Sequence, residues 1–327
     1  MKRIIFQINC SKNYGLGHLF RCIKIANELG KKNKIYFLID TKKKDILNYL
    51  PKKTKKFFFR SKNFLDQKKK IKNILEKLNK PILIIDSYET TYNYEKYIYN
   101  YTNKLIVIDD TIKKHYCDVY INQNYLDFKK LNFFKNKLVG TNFSIVKKNK
   151  YALKKVNILS KNRVLVFMGG SDTKNYTIKI FKAVNSVSFQ KFKFTFIIGT
   201  NNQYYNYLMN YNKINNIKFS NIMKNFPKLI YDHQFILCSG GSTIWEVLYF
   251  NKKPLVINTS DKQSQNSKNL SKGQFIKLFQ SKMSIYNIKK FLLNELKSNK
   301  TRLKSRRIVD GYGLNRIVKV ILDEKKR

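Results

Sequence analysis

The stretch RIIFQINCSKNYGLGHLFRC, Arg3 to Cys22, combines an apolar run, a loop with two glycines and the start of a helical pattern. Residues 3–8 form the apolar run, which is typical of a buried strand. Residues 9–17 form the loop, and His18 follows it directly. This order predicts the first βα unit of a parallel sheet, in which ligands bind at the carboxyl ends of the strands.

The same order of strand, glycines and helix returns in RVLVFMGGSD, Arg163 to Asp172. Around both stretches, short apolar runs alternate with longer amphipathic ones, which favours βαβ units and doubly wound sheets. The predicted strands are 3–8, 34–39, 82–85, 104–108, 163–167, 192–198, 235–238 and 254–257, and the predicted helices include 18–29, 68–78, 177–187 and 243–250.

We therefore predict an α/β protein with two Rossmann-like domains that face each other across a cleft. A polar, lysine-rich stretch at 147–162 separates the halves, so the N-terminal domain is predicted to cover residues 1–155 and the C-terminal domain residues 156–327. The segment from Ile308 onward has a helical pattern, and we expect it to fold back against either domain.

The chain is very basic, because 67 Lys and Arg residues against 20 Asp and Glu give a formal net charge of +47. A nucleic acid or an acidic membrane is the usual partner of such a chain. The excess, however, is mostly lysine, is spread over the whole chain and accompanies many Asn, Ile, Phe and Tyr residues, which share A/T-rich codons. We interpret it as a bias in base composition and expect no nucleic-acid partner.

The four cysteines, at positions 10, 22, 117 and 238, contain no CxxC pair. This spacing favours a reducing compartment over a disulfide framework or a zinc site. The apolar part of MKRIIFQINC is too short for a signal peptide, and no apolar run approaches the ~18–20 residues that span a bilayer. We expect a cytoplasmic monomer without metal, cofactor or stable membrane insertion.

The first loop predicts an anion site next to a histidine. Gly15 and Gly17 allow the backbone to approach a ligand, and a helix N-terminus favours an anion. The same field disfavours an imidazolium, so His18 is expected to stay neutral and to accept a proton. Arg21, one turn later, is expected to contact phosphate or to hold an acidic partner. The alternative is a tight turn with an incidental histidine; Phe20 replaces the third glycine of a dinucleotide fingerprint.

The second loop is CSGGSTIWEV, from Cys238 onward. Gly240 and Gly241 precede a helix that is predicted to begin near Ser242 or Thr243, which is again a phosphate-binding arrangement. Glu246 has two interpretations. It either forms a capping box with Thr243 or accepts hydrogen bonds from ribose hydroxyls.

The third loop, FMGGSDTKN, has Gly169, Gly170 and Ser171 after a strand but lacks the P-loop pattern. It either wraps a diphosphate or is a turn in which Asp172 or Thr173 caps the next helix. Acidic residues also end two strands of the N-terminal half, where turns and caps are the alternative use. These strand-end positions are Asp86, followed by Tyr88, and the pair Asp109 and Asp110.

Seven motifs together resemble the PseG family, the UDP-2,4-diacetamido-2,4,6-trideoxy-β-L-altropyranose hydrolases of pseudaminic acid biosynthesis. In chain order they are GLGHLFRC, IIDSY with YE, VIDD with CDVYINQN, VFMGGSDTKN, CSGGSTIWEVL, QSQNSKNLSKG and VDGYGLNRI. The resemblance extends nearly from end to end. It implies the GT-B fold, which MurG-type glycosyltransferases share.

The resemblance also implies the chemistry: a metal-independent hydrolysis in which water attacks the anomeric carbon of a UDP-sugar and UDP leaves. The N-terminal domain would carry the reacting end and the C-terminal domain would hold the UDP. The residues implied as catalytic are His18 and Tyr88. The substrate-binding residues, from the loops and the resemblance together, are Gly15, Gly17, Arg21, Asp86, Gly169, Gly170, Ser171, Gly240, Gly241, Ser242, Thr243, Glu246, Gln263 and Asn266.

Three positions depart from the family pattern. Gln7 and Asn9 stand where the family has Arg and Asp, and Lys262 replaces an Asn beside the retained Gln263. An amide in place of a carboxylate loses the charge and the acceptor-only character. The departures predict either a different sugar or a weak activity.

Two alternatives to hydrolysis remain open, because fold does not fix function. A GT-B glycosyltransferase would admit an acceptor hydroxyl where the hydrolase admits water. A binding protein would hold a UDP-sugar without turning it over.

Overall fold

The chain folds into two compact units, one formed by Met1–Lys147 with Tyr312–Arg327 and the other by Lys148–Gly311. The computed structural model describes residues 1–10, 16–42, 44–59, 64–126, 134–154, 161–170, 172–199, 202–211, 216–221, 225–298 and 307–323. Of the helices in these ranges, none has the length and apolar character that a bilayer crossing requires.

The first unit is a seven-stranded parallel sheet with the strand order β3-β2-β1-β4-β5-β6-β7. Its elements in chain order are β1 (Arg3–Ile8), α1 (Gly17–Leu29), β2 (Lys34–Ile39), α2 (Lys44–Leu47), β3 (Lys55–Phe58), α3 (Phe64–Lys77), β4 (Ile82–Asp86), α4 (Tyr92–Tyr99), β5 (Lys104–Ile108), β6 (Val119–Asn122), β7 (Lys137–Val139), a 3-10 turn (Thr141–Phe143) and the last helix of the chain, α11 (Gly313–Leu322). Strands β1, β4 and β5 are buried on both faces because helices cover each face.

The second unit is a six-stranded parallel sheet with the order β10-β9-β8-β11-β12-β13. Its elements are a 3-10 turn (Lys150–Leu153), β8 (Arg163–Phe167), α5 (Tyr176–Val184), a 3-10 turn (Val187–Phe189), β9 (Lys193–Ile197), α6 (Tyr205–Met209), β10 (Ile217–Ser220), α7 (Phe226–Asp232), β11 (Phe235–Ser239), α8 (Thr243–Tyr249), β12 (Leu255–Ile257), a 3-10 turn (Asp261–Gln263), α9 (Ser264–Lys272), β13 (Lys277–Leu278) and α10 (Ile285–Lys297). The predicted α/β class with two Rossmann-like domains is confirmed.

Alternate residues of the central strands pack against opposite helix layers, which is the reason why these strands are apolar throughout. In the first unit, Ile4 and Phe6 belong to the cluster that contains residues of α1 and α11, whereas Ile5 packs with residues of α3 and α4. In the second unit, Val164 packs with α5 and α10, and Leu165 with α7 and α8. A strand that buries both faces has no polar alternation, as the sequence shows.

All eight predicted strands are present, but five further strands were not predicted: β3, β6, β7, β10 and β13. Each is two to four residues long, and so has too few residues for a period to be recognised. In β3, moreover, Lys55 and Lys56 are exposed at the sheet edge. Charged residues on edge strands protect a sheet from further pairing, which explains the polar sequence.

The strand order of each sheet shows where a ligand-binding crevice is expected. In the first unit β1 lies between β2 and β4, and Ile8 pairs with Asp86 at the carboxyl ends of β1 and β4. In the second unit β8 lies between β9 and β11, and Phe167 pairs with Cys238. The order of strands reverses direction at β1 and at β8, and such switch points form ligand-binding crevices in open α/β sheets.

Some lysines of this basic chain have a structural role at helix C-termini. Lys104 on β5 is buried, and its ammonium donates to the carbonyls of Val320 (2.5 Å) and Asp323 (3.1 Å) at the end of α11. Lys2 donates to Leu322 at the same helix end. A cation there satisfies carbonyls that lack helical partners and matches the helix dipole. These contacts attach the last helix to the first unit.

The Lys104→Met variant tests this attachment. The methionine keeps an apolar side chain but leaves the carbonyls at the end of α11 without their charged donor, and we expect a loss of about 2 kcal/mol in the free energy of unfolding. The matched control is Lys34→Met, because Lys34 is exposed at the start of β2. Thermal or urea unfolding of the two variants measures the difference, and equal midpoints would contradict the structural role.

Candidate active site

His18 lies at the carboxyl end of the first sheet, as the second residue of α1. Its side chain is 11% exposed, and its Nδ1 atom lies 2.5 Å from Oδ1 of Asp86, the last residue of β4. The ring of Tyr88 packs edge-on against the imidazole, with ring centroids 4.5 Å apart. The histidine therefore lies in a polar cluster and not in the apolar core. Gly15, which the sequence placed in this loop, lies outside the described residues.

Asp86 is fully buried and is also held by Arg21. Arg21 donates from Nε to Oδ2 (2.8 Å) and from Nη2 to Oδ1 (2.6 Å), which is a bidentate contact. Burial alone would raise the pKa of Asp86, but the charges of Arg21 and His18 and their hydrogen bonds hold it well below its usual range. Asp86 is therefore an ionised carboxylate that can only accept hydrogen bonds.

The ionised Asp86 fixes the tautomer of His18. Since the carboxylate cannot donate, the 2.5 Å contact requires that Nδ1 of the imidazole carries the proton. Nη2 of Arg21 also lies 3.2 Å from this Nδ1, but its closer contact, at 2.6 Å, is with the carboxylate. In the neutral ring, Nε2 is then unprotonated and able to accept a proton.

Arg21 is held on its other side by Asp110. Nη1 donates to both carboxylate oxygens of Asp110, at 2.8 and 2.9 Å, and the Tyr88 hydroxyl donates to Oδ2 at 3.3 Å. Of the two uses expected for Arg21, phosphate contact or acidic partner, the structure shows the second, and its contact with substrate stays a prediction. Burial, with a smaller contribution from Asp110, raises the pKa of Tyr88 well above its usual range, so this hydroxyl stays protonated.

The structure shows the surroundings of Gln7, Asn9 and Lys262, the three residues that depart from the family pattern. Gln7 is buried, and its Oε1 accepts a hydrogen bond from the Tyr94 hydroxyl at 2.8 Å. Asn9 is also buried and donates from Nδ2 to the carboxylate of Glu89, which is exposed. A carboxylate therefore adjoins the amide that replaces the family Asp. Lys262 is exposed in the 3-10 turn before α9.

In the second unit, glycine loops after neighbouring strands approach one another closely. Gly169 has φ +99°, a left-handed conformation that favours glycine, and Ser239 Oγ is 3.9 Å from the position that a Cβ would take there. A Cβ on Gly199 would lie 2.0 Å from the Gly170 carbonyl oxygen, and one on Gly240 would lie 2.2 Å from Asn258 Oδ1. The loops at the carboxyl ends of β8, β9, β11 and β12 therefore pack against one another and form one surface.

Of the remaining predicted residues, Gln263 contacts this surface. Gln263 accepts a hydrogen bond from the Thr259 amide at 2.8 Å, and its Nε2 is 3.7 Å from the Cβ position of Gly241. Asn266 is buried in the first turn of α9. Ser171 lies outside the described residues.

The structure does not form the Thr243–Glu246 capping box, and it does form the expected helix cap in the third loop, whose contact with a diphosphate stays a prediction. Ser242 is the N-cap of α8 and makes no side-chain capping bond, so Thr243 is already the first helical residue and no capping box forms. Asp172, in contrast, accepts hydrogen bonds from the backbone amides of Tyr176 (2.9 Å) and Thr177 (2.7 Å) and caps α5.

The sequence did not predict which acids contact His18 and Arg21. Asp86 was assigned to substrate, whereas the structure shows it holding His18 and Arg21. Asp110 was noted only as a strand-end acid. Its position directly after the end of a buried strand was the available signal, but nothing in the sequence said which cation it would contact. Within the described ranges, no group of three His, Cys, Asp or Glu residues could hold a metal ion.

Comparison with known proteins gives three sequence matches. Residues 164–318 match the glycosyltransferase family 28 C-terminal domain. An uncharacterized protein of Methanocaldococcus jannaschii is 29% identical over 274 residues, which cover 78% of this chain and 55% of that protein, so the chain spans about half the length of this relative. The UDP-2,4-diacetamido-2,4,6-trideoxy-β-L-altropyranose hydrolase of Campylobacter jejuni is 23% identical over 253 residues, which cover 75% of this chain and 88% of that protein.

Solved structures resemble the chain over nearly its whole length. MurG of Acinetobacter baumannii has a TM-score of 0.62 at 12% identity, with 98% of this chain and 99% of that chain covered. S. aureus MnaA in a complex with UDP has a TM-score of 0.67 at 14% identity, with 100% and 99% covered. The UDP-GlcNAc 2-epimerase of M. jannaschii, solved with UDP-GlcNAc and UDP, has a TM-score of 0.62 at 14% identity, with 98% and 99% covered. At these identities the likeness shows the fold alone.

Proposed function

We propose that this chain, which is PseG-like in sequence and has the GT-B fold, is an enzyme that acts on a UDP-sugar. Specifically, it hydrolyses a UDP-linked diacetamido-trideoxy sugar to the free sugar and UDP. The observation that carries the proposal is the contact between His18 Nδ1 and the buried, ionised Asp86. This contact leaves the other ring nitrogen as a base.

In the proposed reaction His18 activates water. A water oxygen attacks the anomeric carbon, the bond from that carbon to the diphosphate oxygen breaks, and its electron pair leaves with UDP. Nε2 of His18 takes the proton of the water, and the carboxylate of Asp86 stabilises the imidazolium that forms. General-base assistance of this kind contributes about 10²–10⁴-fold to a rate. Tyr88, protonated and packed on the imidazole, would line the sugar site.

We assign the binding of the diphosphate to the glycine loops of the second unit. A ligand can approach a glycine backbone more closely than any other. Gly240 is packed against Asn258, whereas the Cβ position of Gly241 has protein atoms only at 3.7 Å, an ordinary contact distance. Gly169, Gly170 and Gly241 belong to the same surface. UDP is a fair leaving group, so holding and orienting it matters more than protonating it. The proposed contacts from Ser242, Thr243, Gln263, Asn266 and the undescribed Gly15 and Ser171 follow the family pattern.

Transfer to an acceptor hydroxyl is the second candidate function. The match to the glycosyltransferase family 28 C-terminal domain favours it. The same histidine base would then take its proton from a sugar hydroxyl instead of from water.

A panel of UDP-sugars tests both candidates. The full chain is incubated with each donor, with and without sugar acceptors and with and without a chelator, and NMR identifies the products. Free sugar and UDP in the absence of acceptor, unaffected by the chelator, support hydrolysis. Products that form only with acceptor support transfer, and an epimerised UDP-sugar or no turnover of any donor would contradict the proposed function.

The Glu246→Gln variant tests the proposed ribose contact. Because Glu246 follows the glycine loop assigned to the diphosphate, we expect its carboxylate to accept ribose hydroxyls, and an amide is a weaker acceptor than a charged carboxylate. UDP affinity is expected to fall about 5–10-fold, which corresponds to roughly 1–1.4 kcal/mol. The control is Glu295→Gln, because Glu295 lies in α10 and its carboxylate pairs with Lys277. A loss of thermal stability with normal UDP affinity would show a structural role for Glu246.

A further inference from the structure

A second histidine, which the proposed reaction does not use, lies fully buried between two carboxylates of the first unit. His115 Nδ1 is 2.8 Å from Glu95 Oε1, and its Nε2 is 3.0 Å from Asp109 Oδ2. The imidazole also stacks on the rings of Tyr120 and Phe134. Buried charges of this kind are costly unless they are paired, so three of them in contact need an explanation.

With both carboxylates ionised, these contacts require an imidazolium. A neutral imidazole has one N–H and can donate to only one carboxylate, whereas the ring of His115 has a carboxylate oxygen at each nitrogen. Burial alone would lower the pKa of His115, but the hydrogen bonds and charges of Asp109 and Glu95 outweigh it and raise the pKa. Lys113, 3.5 Å from Asp109, supplies a second positive charge, so the group is neutral overall.

The triad links helix α4, which follows the loop after β4, to the loop after β5. Glu95 also accepts hydrogen bonds from Thr90 Oγ1 (3.2 Å) and from the Tyr116 amide (2.9 Å). Lys113 donates to the carbonyls of Tyr88 (3.3 Å) and Thr90 (3.2 Å). The loop after β4 is thus fastened to the loop after β5 by His115 and Lys113.

The same two loops carry groups of the candidate active site. Tyr88 packs on His18, and Asp110, the neighbour of Asp109, holds Arg21. The adjacent acids have separate partners, because Asp109 accepts from His115 and Thr111 while Asp110 accepts from Arg21 and Tyr88.

We propose that the buried Glu95–His115–Asp109 triad is a positioning device, which fixes Tyr88 and Asp110 around His18 and Arg21 in the geometry that the proposed reaction needs. This inference rests on the proposed function for its kinetic consequence. His115 touches no reacting atom and is a positioning residue.

The His115→Gln variant is the first test, because glutamine is similar in size but carries no charge and cannot donate to both carboxylates. Turnover of the UDP-sugar is expected to fall about 10–100-fold, while UDP affinity stays within about twofold, since displacements of ~1 Å at a positioned group cost rates of this order. The matched control is His233→Gln, which also removes a buried histidine, bonded to Leu229 and Thr195 in the second unit. This control is expected to keep normal turnover.

Histidine-selective ¹⁵N NMR supplies a readout that needs no substrate, because the chain has only three histidines. Near pH 7.5 the two nitrogens of His115 are expected to be protonated, whereas burial lowers the pKa of His233 to about 4 and leaves that ring neutral. In His115→Gln, the Nδ1–H signal of His18 is expected to shift. It should not move in His233→Gln.

The outcomes are distinct. A folded His115→Gln variant with normal turnover and an unchanged His18 signal would overturn the positioning role. If that variant does not fold, Lys113→Met replaces it, with an expected loss of about 3–10-fold in turnover, and no change in either readout would overturn the inference. If the wild type turns over no UDP-sugar but the His18 signal still shifts, the proposed function fails and the structural coupling stands.

Discussion

Turnover of the UDP-sugar is expected to fall by about 10²–10⁴-fold in the His18→Ala variant, because the proposed base is removed. UDP affinity should stay within a few-fold, since the glycine loops assigned to the diphosphate belong to the second unit. Isothermal titration with UDP and a coupled assay of UDP release measure the two effects separately. Activity in His18→Ala comparable with the wild type would end the catalytic assignment.

The Asp86→Asn variant extends this test to the pair of His18 and Asp86. An amide can donate a hydrogen bond to Nδ1 and so favours the tautomer in which Nε2 carries the proton and cannot act as the base. Because the two residues act as a unit, the double variant His18→Ala/Asp86→Asn is expected to be no slower than His18→Ala alone. A double variant that is much slower would mean that Asp86 contributes to the reaction separately from His18. Unfolding must be measured in parallel, since Asp86 also pairs with the buried Arg21.

UDP binding is expected to weaken at least tenfold in Gly240→Ala. The new Cβ would lie 2.2 Å from Asn258 Oδ1, which already accepts a hydrogen bond from Ser267 at 2.7 Å. That contact must break or the loop must move, and overpacking of this kind costs about 1–3 kcal/mol. The melting temperature is therefore expected to fall together with the affinity.

The neighbouring Gly241→Ala variant separates the fold from the ligand. Its Cβ would have only ordinary contacts at 3.7 Å, with Gln263 and Ser239. We expect an unchanged melting temperature but weaker UDP binding, because the methyl group would occupy space assigned to the diphosphate. Normal UDP affinity in Gly241→Ala would show that the diphosphate does not lie against this loop.

The sequence predicted the fold class and the central strands, because hydrophobic runs and glycine-containing turns are local signals. It failed for the short outer strands such as β3 and β13, whose two to four residues are too few to show a period. It also left the two uses of Glu246 open, since a capping box depends on which residue begins the helix. The structure begins α8 at Thr243, one residue too early for that box.

In the candidate site, too, some features follow from the sequence and others only from the tertiary structure. The sequence by itself determined that polar residues and glycines follow the buried strands, with His18 at the start of a helix and acids at 86, 109 and 110. Only the tertiary structure decided which charges pair: Asp86 with His18, 68 positions away, and Asp110 with Arg21, 89 positions away. The first pair depends on the parallel register of β1 and β4, where Ile8 lies beside Asp86, and the second depends also on the pairing of β4 with β5. Parallel strands are joined through long crossovers, so no local pattern along the chain can record which strand ends will meet.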